Sequence, residues 1–194
     1  MMKFPIHTID TSYGERLEVL NLVHDSYGFV PNLLGGLAES PAAARAYVAL
    51  GGEAHSTSFT PEERTVAWFA VITANGCRYC VSAHTAAAVF EKIDSSVLDA
   101  ARNGGGYTNP RLRALHNFVR ALIETRGHPS SSAKIAFVAA GFTPQQALEC
   151  VLIVAQKTLS NYANALIGTP IDSAFNALER SDDETTRLPT LKGA

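Results

Sequence analysis

Residues 59–85 read Phe59-Thr60-Pro61-Glu62-Glu63-Arg64-Thr65-Val66-Ala67-Trp68-Phe69-Ala70-Val71-Ile72-Thr73-Ala74-Asn75-Gly76-Cys77-Arg78-Tyr79-Cys80-Val81-Ser82-Ala83-His84-Thr85. Thr60 is an N-capping residue, Pro61 suits the first helical position, and Glu63 stands where a capping box needs it. The apolar run from Val66 to Ile72 covers every side of the helix so begun, which assigns it to a core or a subunit interface. Asn75-Gly76 is a C-terminal stop, so Cys77 stands at the entrance of a second helix.

The same start signal recurs along the chain. Ser40-Pro41, Asn109-Pro110 and Thr143-Pro144 each pair a cap with a proline, and Thr143 with Gln146 repeats the capping-box spacing. Alanine is abundant, at 29 of 194 residues, and no alternating run is bounded by hairpin turns. These features predict an all-α fold with helices near 12–25, 32–38, 41–55, 61–74, 78–91, 95–103, 110–126, 130–140, 144–167 and 171–179. Gly104-Gly105-Gly106 reads as a connector, since no strand precedes it and no Lys-Ser/Thr follows. Residues 1–179 form one expected domain, and 180–194, with little apolar matter to bury, an expected flexible tail.

Phe59-Thr60-Pro61-Glu62-Glu63 and Phe142-Thr143-Pro144-Gln145-Gln146 align at a constant offset, and each follows a helix opened by a cap and a proline. We read this as a degenerate internal repeat of a two-helix unit. Under the alignment Cys77, Cys80 and His84 fall opposite Ser160, Ala163 and Ile167, so only the first copy carries thiols. Phe-Thr-Pro as a common helix opening is the plainer alternative.

Hydrophobic residues make up 46% and charged residues 18% of the chain, with a formal charge of −2. That balance offers no electrostatic footprint for nucleic acid or anionic lipid. The N-terminus lacks a signal-peptide core, and no apolar run approaches the roughly 18 to 20 residues of a membrane span. The expectation is a cytoplasmic protein without nucleic-acid or membrane partners. Three cysteines are too few for a disulfide-built scaffold, and in a reducing compartment a Cys-x-x-Cys is a catalytic or metal-binding signal.

At spacings of three and four, Cys77, Cys80 and His84 share one helical face. The helix N-terminus favours thiolate, and on position alone Cys77 is the more acidic thiol. An imidazole four residues after Cys80 can accept its proton or hold its thiolate. Sulfurs one turn apart can cycle between dithiol and disulfide without a cofactor. Structural zinc is disfavoured for want of a second ligand pair, and no metal is expected. Thioredoxin-type chemistry is disfavoured for want of strands. Two small buried thiols without chemistry are the remaining alternative.

The run Asn75-Gly76-Cys77-x-Tyr79-Cys80-x-x-Ala83-His84-Thr85, behind a helix opened by Thr60-Pro61-Glu62-Glu63-Arg64, resembles the core of the alkylhydroperoxidase D (AhpD) and carboxymuconolactone decarboxylase family, and within it the uncharacterised peroxidase-related branch. Gly28-Phe29-Val30-Pro31-Asn32-Leu33, Lys157-Thr158-Leu159-Ser160-Asn161-Tyr162-Ala163-Asn164 and Thr169-Pro170-Ile171-Asp172 extend the likeness over residues 25–178. The resemblance implies an AhpD-like helical bundle, homo-oligomers built on trimers and often hexamers, and a thiol-dependent peroxidase acting on hydroperoxides. In that scheme Cys80 attacks the O–O bond and becomes a sulfenic acid, Cys77 resolves it as a disulfide, and His84 serves the proton relay. An external thiol, such as a lipoyl-bearing adaptor protein, would restore the dithiol.

Two departures bear on the chemistry. The family's relay glutamate falls at Thr65 here. Glu63 is the nearest substitute, but two residues turn a helix by about 200°, away from the thiol face, and its capping role with Thr60 competes. Tyr79 stands between the cysteines where the best-studied members carry histidine. The other functional alternatives are a carboxymuconolactone decarboxylase-like lyase and a non-enzymatic redox-sensing or small-molecule-binding oligomer. Cys150 reads as a buried, inert thiol, His116 as packed or solvent-facing, and His24, His55 and His128 as helix-end residues. Asn161, Tyr162 and Asn164 divide evenly between lining the thiol pocket and serving an interface.

Overall fold

The computed structural model describes residues 2–178, which are helical without any strand among them. The tail expected over 180–194 lies outside the described residues. The helices are α1 (Gly14–Tyr27), α2 (Asn32–Leu37), α3 (Pro41–His55), α4 (Pro61–Ala74), α5 (Arg78–Phe90), α6 (Ser95–Arg102), α7 (Pro110–Glu124), α8 (Ser131–Ala139) and α9 (Pro144–Ile167). Two differences from the sequence expectation stand at the ends. Ile9–Thr11 forms a 3-10 turn, and the helix expected over 171–179 is a 3-10 helix, Ser173–Leu178.

The caps form as the sequence signals require. The Thr60 hydroxyl accepts from the Glu63 amide at 3.2 Å while the Glu63 carboxylate accepts from the Thr60 amide at 3.0 Å. Thr143 and Gln146 repeat the arrangement, and the paired phenylalanines Phe59 and Phe142 meet edge to face at 6.2 Å. The two units differ after that. The first breaks at Asn75-Gly76, whereas α9 continues unbroken through the equivalent position.

Helix α4 is the axis of the core. Every residue from Glu63 to Ile72 is buried, as a helix apolar on all sides must be, and it packs against α5, α6, α7 and α9. Arg64 near its start bridges to Glu91 after the end of α5 at 3.2 Å, so the two helices run antiparallel. Helix α9 meets the axis with one face, which buries Cys150 and Ile153, while Leu148 and Val151 stay exposed on the other. Among the described residues no single helix is long and apolar enough to cross a membrane.

Candidate active site

The site begins at the corner between α4 and α5. Gly76 adopts a left-handed φ of +63°, which only glycine takes at little cost, and the Cys77 amide then reaches back to the Ile72 carbonyl at 3.1 Å. That closure ends α4 and delivers Cys77 as the N-cap of α5, where its sulfur accepts from the Cys80 amide at 3.4 Å. Both thiols are reduced and buried, Cys80 only 2% exposed.

Helix α9 supplies the other wall. The Nδ2 group of Asn161 donates to the Cys80 sulfur at 3.0 Å, and that of Asn164 donates to it at 3.2 Å and to Cys77 at 3.6 Å. Asn75 donates to the Asn161 side-chain oxygen at 3.0 Å, which orients the amide. Of the three polar residues late in α9, therefore, Asn161 and Asn164 serve the thiols, and Tyr162 points to solvent.

These contacts separate the two sulfurs electrostatically. The hydrogen bond from Cys77, the charge of Lys157 and the two asparagine amides bring the Cys80 thiol down from 9.0 to about 6, against the opposing effect of burial. Cys77 is pushed up, because it shares its hydrogen bond with Cys80, is buried and feels the neighbouring thiolate. Helix position alone favoured Cys77 as the acidic thiol. The structure reverses that order, since the amide donors and the cation converge one turn further on.

His84 does not hydrogen-bond Cys80. Its Nε2 meets the ammonium of Lys157 at 2.7 Å, and its ring packs against Trp68 at 4.9 Å and Phe69 at 6.3 Å. Burial first, then the Lys157 charge, holds the imidazole well below its ordinary range, so it is neutral. Lys157 is 1% exposed, and it also reaches the Tyr47 hydroxyl at 3.3 Å. Thr65 is buried in α4. Where the family pattern leads one to expect a carboxylate for the histidine, this protein presents a lysine.

Two further sequence candidates take structural roles. Glu63 is held by the capping box and by Arg111 Nε at 2.6 Å. It lies about 18 Å along α4 from the cysteine corner at 1.5 Å per residue, so it does not serve the thiols. The Tyr79 hydroxyl donates to Asp172 at 2.5 Å and accepts from the Leu33 amide at 3.3 Å, tying α5 to α2 and to the chain after α9. Burial, then Asp172, pushes that phenol up.

Beside α5 lies a cavity of about 480 Å³, lined by aromatic rings including Tyr27, Phe29, Tyr47, Trp68, Tyr79 and Phe90, and by Ala83, His84, Gln156 and Lys157. Neither cysteine lines it. On the 100° advance per residue, Cys80 falls in direction between Ala83 and His84, about one turn (5.4 Å) below them. Cys80 thus belongs to the α5 face that borders the cavity without itself lining it. His55 also lines this cavity, its ring 5.0 Å from Trp68. His116 is packed beside Tyr107, and Cys150 is fully buried with its thiol pushed up. Among the described residues no group of three or more His, Cys, Asp or Glu could hold a metal ion.

Sequence reasoning missed Lys157, though a signal existed. Ile153, Lys157, Ser160, Asn161 and Asn164 follow the i, i+4, i+7, i+8, i+11 pattern of one helical face. That face is buried, so a lysine and two asparagines on it mark a site.

Residues 41–94, which hold α3 to α5 and both cysteines, match the model of the carboxymuconolactone decarboxylase family. No curated protein matches the chain. Among solved structures, it is similar to an AhpD-core, uncharacterised peroxidase-related protein from Ralstonia eutropha JMP134, with 27% identity, a TM-score of 0.77, and coverage of 89% of this chain and 93% of that one. A peroxidase-related protein from Silicibacter sp. TM1040 shares the fold at 16% identity, TM-score 0.74, covering 90% and 92%. So does the debrominase Bmp8, whose cysteine-to-alanine variant is in complex with 2,3,4-tribromopyrrole, at 20% identity, TM-score 0.73, covering 91% and 95%. The chain thus carries, over α3 to α5, a segment that matches the carboxymuconolactone decarboxylase family, within an all-helical architecture similar to that of the AhpD core.

Proposed function

We propose that this protein is a cofactor-independent thiol peroxidase that reduces organic hydroperoxides through a Cys77–Cys80 dithiol/disulfide cycle. One observation carries the reading: two asparagine amides of α9 converge on the Cys80 sulfur, which favours its thiolate, with Cys77 one turn away. The Cys80 thiolate attacks the terminal oxygen of the hydroperoxide, the O–O bond breaks, and the alkoxide leaves and takes a proton by way of His84. Cys80 is then a sulfenic acid. The Cys77 thiol attacks its sulfur, water departs, and the disulfide forms. An external dithiol, such as a lipoyl group on an adaptor protein, supplies the two electrons that reopen it.

The direct test is thiol titration before and after one equivalent of cumene hydroperoxide, with mass spectrometry to locate the bridge. The expected result is loss of two thiols to a Cys77–Cys80 disulfide while Cys150 stays free. All three thiols remaining reduced refutes the reading. Multiple turnovers with dihydrolipoamide separate an enzyme from a sensor that reacts once. Loss of activity in Cys80→Ser separates a peroxidase from a decarboxylase-like lyase.

The aromatic-walled cavity favours a second reading, because a debrominase shares this fold. The same dithiol could reduce an aryl bromide to the arene with release of bromide and a proton, and bromide release under the same conditions tests it. We place the cycle in the cytoplasm, whose reducing poise would sustain it. Assembly into trimers or hexamers is supported by the exposed apolar side chains Ile135 and Val138 of α8 and Leu148 and Val151 of α9.

A further inference from the structure

Among the described residues, Lys157 is the one buried ammonium in the wall of the cavity, and none of them supplies a carboxylate to that wall. A buried cation is costly unless it is paired and its donors are used. Its hydrogen-bond partners are the Tyr47 hydroxyl and His84 Nε2, and its charge also acts on the Cys80 thiol. The two partners take two of three ammonium protons. Asp172, a buried carboxylate that follows α9, is already engaged by Tyr79 and by the Asn32 amide at 3.0 Å. The ammonium therefore borders a largely apolar chamber with a donor to offer.

The chamber sets what can accept it. Its volume of about 480 Å³ falls within the range of small-molecule sites, and its lining is mostly aromatic and aliphatic. An inorganic anion would leave the rings unfilled, and a neutral hydrocarbon would leave the remaining ammonium donor unused. A molecule with an apolar body and one anionic head satisfies both. From this we infer that the cavity binds small apolar organic acids, with the carboxylate on Lys157 Nζ and the body among Tyr27, Tyr47, Trp68 and Phe90. This rests on reading the cavity as the substrate site and names the substrate class: an apolar acid whose head is anchored on Lys157.

The test is binding without peroxide, so its outcome is independent of the thiol titration. Benzoate, phenylacetate, 4-phenylbutyrate and decanoate are each compared with their isosteric amides by calorimetry on the reduced protein. The fluorescence of Trp68, the sole tryptophan and part of the cavity wall, reports occupancy. At least one acid is expected to bind about tenfold or more tightly than its amide, and Lys157→Met to bring that ratio near one while amide binding persists. The inference is overturned if no acid in the panel surpasses its amide, or if the preference survives in Lys157→Met. Should that variant fail to fold, the acid-to-amide ratio of the native protein decides alone. A Cys77–Cys80 disulfide formed without acid preference refutes this inference and spares the peroxidase reading, and the opposite pair of results does the reverse.

Discussion

At Cys80 the chemistry depends on donors brought from a helix some 80 residues away in the chain. Hydrogen bonds to a charged acceptor are worth about 1.5–3 kcal/mol each, and a pKa unit is about 1.4 kcal/mol. Losing one asparagine amide is therefore enough to move the thiol by one unit or more. The rate of Cys80 alkylation by iodoacetamide, followed by mass spectrometry, should rise with pH around a midpoint near 6. Asn161→Leu should shift that midpoint upward by about one unit, and Lys157→Met should also shift it upward. A midpoint near 9 in the native protein would show that these donors do not hold the thiolate. Asn164 carries the same logic with less freedom, because its own Oδ1 is buried without a hydrogen-bond partner among the described residues.

Among the elements, the close packing of α2 under the N-terminal segment can be tested at single glycines. A Cβ on Gly35 would stand 2.7 Å from the backbone oxygen of His7 and 2.8 Å from Ile6 Cγ2. Backbone cannot retreat as a side-chain tip can, so Gly35→Ala should cost about 1–3 kcal/mol. Gly52 lies inside α3 with nothing within 4 Å of the added atom. There Gly52→Ala should stabilise by about 0.5–1 kcal/mol through helix propensity and the unfolded chain. Urea melts of the two variants should move in opposite directions, and a common direction would contradict this account. The α4–α5 pair shows what was legible at this scale. Its caps, its stop at Asn75-Gly76 and the N-cap position of Cys77 were readable because each depends on residues within a few positions of one another.

For the whole molecule, buried titratable groups set a pH dependence whose sign can be worked out. His84 and His116 titrate below 6.5 in the folded state, chiefly through burial, so the unfolded chain takes up protons first on acidification. Stability then falls as pH drops below about 6.5. Cys80 titrates near 6 when folded and near 9.0 when unfolded, which adds stability as pH rises between those values. Cys77 and Cys150 are raised and act oppositely, removing stability above 9. The melting temperature should therefore rise from pH 5 to 8 and fall beyond 9, and His84→Gln should flatten the acid side. A melting temperature that falls from pH 5 to 8 would overturn this.

The sequence by itself determined the helical class, the helix starts, the thiol pair and the place of His84 one turn after it. All of these follow from propensity, capping and periodicity over a few residues. Only the tertiary structure decided which cysteine is the acidic one, that Glu63 belongs to Arg111 and the cap, and that Lys157 rather than a carboxylate meets His84. The reason is physical: pKa and charge balance in a buried site depend on what stands within a few ångströms in space. Here that neighbourhood is the buried face of α9, which the chain reaches only after passing through α6, α7 and α8.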